Sequence, residues 1–244
     1  MNTIADALWL ARLRGSTVAV PEGLSLDQAY AVAEHNHARR LAEGAHAVGR
    51  KIGHTWPASW AAQGIAAPSW GWLYARSTAE MAPTLDLSAW REPKAEVELV
   101  LRLGLDRQPR AMALGIEIVD RPYPSWDFPV AASIAAGGVH AALLHGPWQA
   151  FDLAKHGPLL KRLTARLQVG AATSEGSSER VLGSPLAALE ALASLLQAQE
   201  ALPLQPDEIV TTGALAPSLP VRTGDACEAA LEGLPLAPLR WVCR

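Results

Sequence analysis

The chain has 244 residues, 50% hydrophobic and 18% charged, with a formal net charge of -3. At that balance there is no broad basic face for nucleic acid or an anionic membrane. Cys227 and Cys243 are too few and too late to form a disulfide framework, which points to a reduced, cytoplasmic setting. Of the 21 basic residues only four are lysine (Lys51, Lys94, Lys155, Lys161) and 17 are arginine. A lysine in this chain therefore draws notice, because lysine can give up its proton and arginine in practice cannot.

The N-terminal stretch MNTIADALWLARLRG is interrupted by Asp6, Arg12 and Arg14, so a surface helix is predicted rather than a secretory signal. Ser25-Leu26-Asp27-Gln28 has the spacing of a capping box, in which hydroxyl and amide satisfy each other's free backbone donors. Leu26, Ala29, Tyr30, Ala33, His37 and Leu41 follow at helical intervals, and Gly44 stands where the helix should end. His35 and His37 would point about 200° apart on that helix, so both read as surface residues rather than a metal half-site. Residues 96–103 and 113–119 are short, apolar and β-rich. The Ala-rich run 130–144 is too short and too weakly apolar to span a bilayer.

Residues 159–169 alternate as a strand, and 170–178 reads as a hairpin turn returning through Arg180-Val181-Leu182. Ser184-Pro185 announces a second helix with Leu186, Leu189, Leu192, Leu195 and Leu196 on its apolar face. Residues 208–212 and 219–222 make two more strands. The expected fold class is α+β, one domain over 1–244: a helical N-terminal part (1–45), then a β-rich mixed-sheet core (46–244) with one helix against it.

No Gly-rich phosphate loop, nucleophile elbow or CxxC pair occurs. Glu96-x-Glu98 stands out, because residues i and i+2 share one face of a strand. Carboxylates that close repel unless a cation sits between them. Glu117 lies inside the apolar run 113–119, where a charge needs a partner. Three hard oxygen donors on neighbouring strands suit Mg²⁺ or Mn²⁺. The competing reading puts Glu96 and Glu98 on a solvent-facing strand edge and pairs Glu117 with an arginine. Lys51 lies in Gly49-Arg50-Lys51-Ile52-Gly53, where glycines let backbone approach a ligand, and it is the candidate acid/base or charge anchor. Trp56, Trp60, Trp70 and Trp72 fall between Lys51 and the glutamates, as a pocket wall, core, or an interface between copies.

Taken together in order and spacing, several stretches resemble the fumarylacetoacetate hydrolase superfamily, and within it the 2-keto-4-pentenoate hydratases and 4-oxalocrotonate decarboxylases. They include 26–30 (LDQAY), 48–55 (VGRKIGHT), Gln63-Gly64-Ile65 leading to Pro68, 92–98 (EPKAEVE), Glu117-Ile118-Val119-Asp120, Leu182-Gly183-Ser184-Pro185 and 209–214 (IVTTGA). The resemblance implies a mixed β-rich fold of that type, with Glu96, Glu98 and Glu117 binding Mg²⁺ (or Mn²⁺) and Lys51 catalytic. Gly53, His54, Arg121 and Thr212, within or beside these stretches, become the candidate substrate contacts.

The implied activity is that of a metal-dependent lyase in aromatic-compound catabolism. It would act on small 2-oxo or 2-hydroxy-dienoic acids through a metal-stabilised enolate, and 2-keto-4-pentenoate hydration comes first. Decarboxylation of 4-oxalocrotonate, C–C hydrolysis and a non-catalytic ligand-binding homologue are the alternatives. The expected partners are the 2-oxo acid, further copies of the chain and a pathway enzyme, with no nucleic acid or membrane. Three positions depart from the resemblance. Ser69 replaces an acid that in the hydratases shares proton transfer with the lysine, Arg121-Pro122 follows Asp120 in place of Ser-Arg, and Ala132-Ser133 replaces Asp-Asn. His54 and Arg121 are the candidates to compensate.

Overall fold

The computed structural model describes residues 2–244. It opens with α1 (Asn2–Arg14) and α2 (Leu26–Ala42). The capping box at Ser25 closes in both directions: the Gln28 N–H donates to Ser25 Oγ at 3.2 Å, and the Ser25 N–H donates to Gln28 Oε1 at 3.0 Å. Gly44 follows at φ 82, a left-handed position that glycine takes without a Cβ clash. The helices pack Ala5, Leu8, Ala29 and Val32 with Tyr123 and residues 130–135 in a small core of their own.

His37 corrects the expectation of two surface histidines. His35 is exposed, but His37 is buried, its ring stacked on Trp72 at a centroid distance of 4.0 Å with Nδ1 2.9 Å from the Tyr74 hydroxyl. The same 200° separation that argued against a metal half-site turns one histidine to solvent and the other to the sheet. Burial, then the charges of Arg50 and Arg40, push the His37 pKa down to about 4, so the ring packs uncharged.

The remaining elements follow in chain order. First come β1 (Ala47–Gly53), α3 (Trp60–Gln63), β2 (Ser69–Tyr74), β3 (Thr78–Glu80) and β4 (Thr84–Leu85). Next are β5 (Lys94–Leu103), β6 (Pro109–Val119), α4 (Val130–Ala135), β7 (His140–His145), β8 (Gln149–Ala150) and α5 (Leu153–His156). Then β9 (Thr164–Val169), β10 (Ala172–Ser177), α6 (Pro185–Ala198), β11 (Ile209–Thr211), β12 (Leu219–Pro220), β13 (Ala226–Glu232) and β14 (Leu239–Cys243) complete the chain.

The larger sheet runs β2-β1-β11-β5-β6-β7-β3, with β12 on β5 and β8 on β6. It is mixed, since β1–β11 and β3–β7 are parallel and its other pairings antiparallel. The second sheet runs β10-β9-β13-β14-β4. The main core draws Val97, Leu99, Met112, Leu114 and Ile116 from the large sheet, Leu167 and Trp241 from the small one, and Leu192 from α6. Because side chains alternate along a strand, the opposite face of β5 and β6 is left to Glu96, Glu98, Val100 and Glu117. That is the face that matters chemically.

The third quarter of the chain differs locally from its expected reading. Leu159–Arg162 is a 3₁₀ turn, so the strand is only β9. The turn after it is tight, and the Gly/Ser stretch is itself the return strand β10, paired Ala172↔Val169 through Ser177↔Thr164. Only Ser174 on it is buried, and its small and polar side chains carry no apolar alternation, which is why it reads as loop. Arg180-Val181-Leu182 lies in and just after another 3₁₀ turn. The stretch Ser178–Ala198 is apolar and long enough by composition to cross a membrane. It is interrupted at Leu182, which has φ 58, and α6 buries Leu189, Leu192 and Leu196 in the main core. Cys227 and Cys243 are buried free thiols, with sulfurs 3.8 Å apart.

Arg50 supports the sheet from its other side. It is fully buried, pairs with Glu208, donates to the Leu202 carbonyl at 2.9 Å and lies 4.1 Å over the Trp72 ring. Arg50→Ala strands Glu208 without its cation, and urea unfolding is expected to show a loss of about 3–5 kcal/mol. A loss below about 1 kcal/mol would mean that the pair contributes little, as exposed pairs do.

Candidate metal centre and active site

Glu96 stands directly opposite Glu117 in the β5–β6 register, and Glu98 is two residues further along the same face. One carboxylate oxygen from each lies within 4.8 Å of the others. Glu98 and Glu117 are fully buried and Glu96 is partly so. β5 is an interior strand, which removes the reading of a solvent-facing edge.

Glu117 is partnered by a lysine and a histidine ring nitrogen rather than by an arginine. Lys51 Nζ sits 3.0 Å from Glu117 Oε2 and donates to the Gly138 carbonyl at 3.0 Å, while His140 Nδ1 lies 2.8 Å from Glu117 Oε1. The Gly213 N–H donates to Glu98 Oε2 at 2.9 Å. Among the described residues, Glu98 Oε1 is buried with no hydrogen-bond partner, and Glu117 Oε2 is held by the lysine's charge without an aligned hydrogen bond.

Charge repulsion shows in the ionisation of the group. Burial, then the charge of Glu117, pushes Glu96 up to about 7. Glu98 rises well above the ordinary carboxylate range, from burial first and then from Glu117 and Glu96. Burial works against Glu117 too, but Lys51 and His140 outweigh it and hold its pKa below the usual value. For Lys51, burial is outweighed by the three carboxylates and the pKa is raised. The Lys51 ammonium does not by itself neutralise three carboxylates this close together. The donor set, hard anionic oxygens with one orphaned lone-pair site, fits a divalent cation of the Mg²⁺ or Mn²⁺ kind.

Lys51 lies mid-strand, on the acid face, as the register through Thr211 to Val100 requires, and its other register partner is Gly71. A Cβ on Gly138, which has φ 72, would come 3.1 Å from Lys51 Cδ, and one on Gly71 would lie 2.7 Å from the Gly137 carbonyl. Those glycines let the 137–138 turn close over the lysine stem. Gly53, paired with Ser69, is next to the lysine head: a Cβ there would be 3.1 Å from Ser69 Oγ and 3.9 Å from Lys51 Nζ. His54 adopts φ 55, its Nδ1 lies 2.7 Å from Ser69 Oγ, and its carbonyl accepts from Trp60 Nε1 at 2.6 Å. Burial, then the charge of Lys51, brings the His54 pKa down to about 4.

Other expected site residues are not brought into this group. Arg121 is drawn to Glu92 and to the Tyr123 carbonyl, so its guanidinium is spent on loop structure. Thr212 is fully buried and its hydroxyl donates to the Leu99 carbonyl at 2.9 Å, so it serves by setting the next residue's N–H against Glu98. Trp70 and Trp72 pair with Ile52 and Arg50, on the face opposite Lys51, so they do not wall this site. Trp56 packs on Arg180, 4.4 Å from the guanidinium carbon. His140, Gly138 and Gly213 went unforeseen, since each arrives from another element through sheet register or a turn. A cleft of about 330 Å³ lined by α1, α2 and residues 135–141 reaches Gly71 and His140 but none of the three glutamates.

No family model matches the chain. The chain is 32% identical to 2-keto-4-pentenoate hydratase 1 of Dechloromonas aromatica (strain RCB), over 94% of this chain and 89% of that protein. In fold it is similar to 4-oxalocrotonate decarboxylase from Pseudomonas putida G7, complexed with magnesium and adipate, at a TM-score of 0.88 and 22% identity over 99% and 96% of the two chains. Fumarylpyruvate hydrolase from Pseudomonas aeruginosa, in complex with Mn²⁺ and pyruvate, shares the fold more loosely, at a TM-score of 0.53 and 16% identity over 80% of this chain and 88% of that one. The chain belongs to the 2-keto-4-pentenoate hydratase family.

Proposed function

We propose that the protein is a divalent-metal-dependent lyase that hydrates 2-hydroxypenta-2,4-dienoate, the enol of 2-keto-4-pentenoate. The observation that carries this reading is the triad of partly buried Glu96 with fully buried Glu98 and Glu117, whose oxygens converge without enough protein charge to balance them. Those three residues would hold Mg²⁺ or Mn²⁺. When bound, such an ion supplies Lewis acidity toward the oxygens of a 2-oxo acid.

The other groups do the positioning. Lys51 presents its ammonium beside Glu117, where it can receive a substrate carboxylate or oppose negative charge as it develops. Gly53 keeps the space beside Ser69 and the lysine head free of side chain. Val100 and Leu143, buried on the same sheet face, exclude water from one flank. In hydration the dienol is protonated at C5, water adds at C4, and C3 takes the last proton. The enzyme so described works in the cytoplasm on small 2-oxo acids in aromatic-compound catabolism.

The test is turnover of 2-hydroxypenta-2,4-dienoate, followed by loss of its ultraviolet band, with 4-hydroxy-2-oxopentanoate identified by mass. Activity is expected with Mg²⁺ and none after chelation. CO₂ release from 4-oxalocrotonate with no hydration would assign the decarboxylase reading instead. If neither substrate is consumed with Mg²⁺ present, the lyase reading falls and a ligand-binding role takes its place.

A further inference from the structure

His54 is the half-buried titratable side chain beside the site that neither the metal ligands nor Lys51 account for. Continued alternation along β1 would turn residue 54 to the face opposite Lys51. The left-handed backbone at φ 55 instead brings its ring to Ser69, whose register partner Gly53 lies on the lysine's face. A histidine holds that backbone only where its surroundings over-determine it. Here two contacts do so: Trp60 Nε1 on its carbonyl and Ser69 Oγ on Nδ1. Nε2 has no hydrogen-bond partner among the described residues and is not sealed from solvent. The ring is uncharged at neutral pH, so it carries one N–H and one free lone pair, the form that can both take and return a proton.

We propose that His54, oriented by Ser69, is the general base and acid of this site. With Nδ1–H donated to Ser69 Oγ, Nε2 accepts a proton from water as the hydroxyl oxygen bonds to C4 of the substrate. The electron pair of the C3–C4 double bond shifts to the enolate, and the imidazolium returns its proton to C3. The histidine ends as it began and the net change is addition of one water. This rests on the lyase reading for its substrate, while the proton transfer at C3 can be observed separately.

The experiment is exchange of the C3 protons of 2-oxopentanoate with D₂O, followed by NMR on the Mg²⁺-loaded protein, beside the hydration assay. His54→Asn is the main variant, because asparagine tolerates the left-handed region and has no basic nitrogen. Exchange and kcat are expected to fall by at least about a hundredfold, with KM and calorimetric Mg²⁺ affinity unchanged. His54→Gly, which also fits the backbone, should regain exchange with added imidazole. Ser69→Ala should cause a smaller loss and shift the His54 tautomer ratio in ¹⁵N spectra, a readout that needs neither metal nor turnover. Exchange in His54→Asn equal to that of the unaltered protein would overturn the proposal, as would no exchange by the unaltered protein with Mg²⁺ bound. Exchange without hydration of the dienoate would sink the lyase assignment and leave His54's role standing.

Discussion

Glu98→Gln is expected to abolish Mg²⁺ binding and, in the metal-free protein, to raise the melting temperature. Glutamine keeps the shape of the side chain, and its amide oxygen can still accept the Gly213 N–H that now reaches Glu98 Oε2. What it removes is one of three negative charges whose oxygens lie within 4.8 Å of each other inside the protein. Altering a group behind a ligand typically lowers metal affinity 10- to 100-fold, so removing a charged ligand should exceed about a hundredfold. The same change takes away a carboxyl group whose pKa is held well above its ordinary value by burial first and then by repulsion from Glu117 and Glu96. Relief of that kind at a functional site is worth about 1–2 kcal/mol. Calorimetry with Mg²⁺ and melting curves with and without the ion separate the two effects. Undiminished Mg²⁺ affinity would remove Glu98 from the ligand set.

That prediction was half readable from the chain alone. The i, i+2 spacing places Glu96 and Glu98 on one face wherever the strand lies, and Glu117 stands out because the other six residues of the run 113–119 offer it no charged partner. What spacing cannot say is which strand lies beside which. Glu117 faces Glu96 only through the β5–β6 register, and His140 reaches Glu117 only because β7 is the next strand over. His54 is legible as a candidate from its place after Lys51, but the backbone angle that brings its ring to Ser69 is not, since no pattern of side chains announces a left-handed residue that is not glycine. Trp70 and Trp72 show the opposite case. They flank Gly71, so period two puts them on the face away from Lys51 once Lys51 is paired with Gly71. Local rules read the capping box and the α6 start correctly because both ends of each contact lie within a few residues. Arg121 lies apart from the cluster for the converse reason: its guanidinium goes to Glu92, 29 positions earlier.

Lys51→Met should act on the metal in the direction opposite to Glu98→Gln while stopping turnover. Lys51 is the ammonium that faces the carboxylate cluster, at 3.0 Å from Glu117 Oε2. Methionine fills much the same straight channel but leaves the cluster without that charge. Breaking a buried pair by removing one partner costs about 3–5 kcal/mol, so the metal-free variant should melt well below the parent. The ion no longer competes with an ammonium, and at a few ångströms the lost repulsion is enough for at least about a tenfold gain in Mg²⁺ affinity. Added Mg²⁺ should therefore recover most of the lost stability. It should not recover activity, because the charge that meets the substrate is gone, and kcat is expected to fall about a thousandfold. Lys51→Arg should fail as well. The lysine stem runs so close to Gly138 that even a methyl on that glycine would come within 3.1 Å of Cδ, and a planar guanidinium needs more room. In a chain that otherwise chooses arginine, 17 to four, the fit of this channel explains the exception. If Lys51→Met bound Mg²⁺ more weakly than the parent, the lysine would have to be helping to build the metal site rather than sharing it.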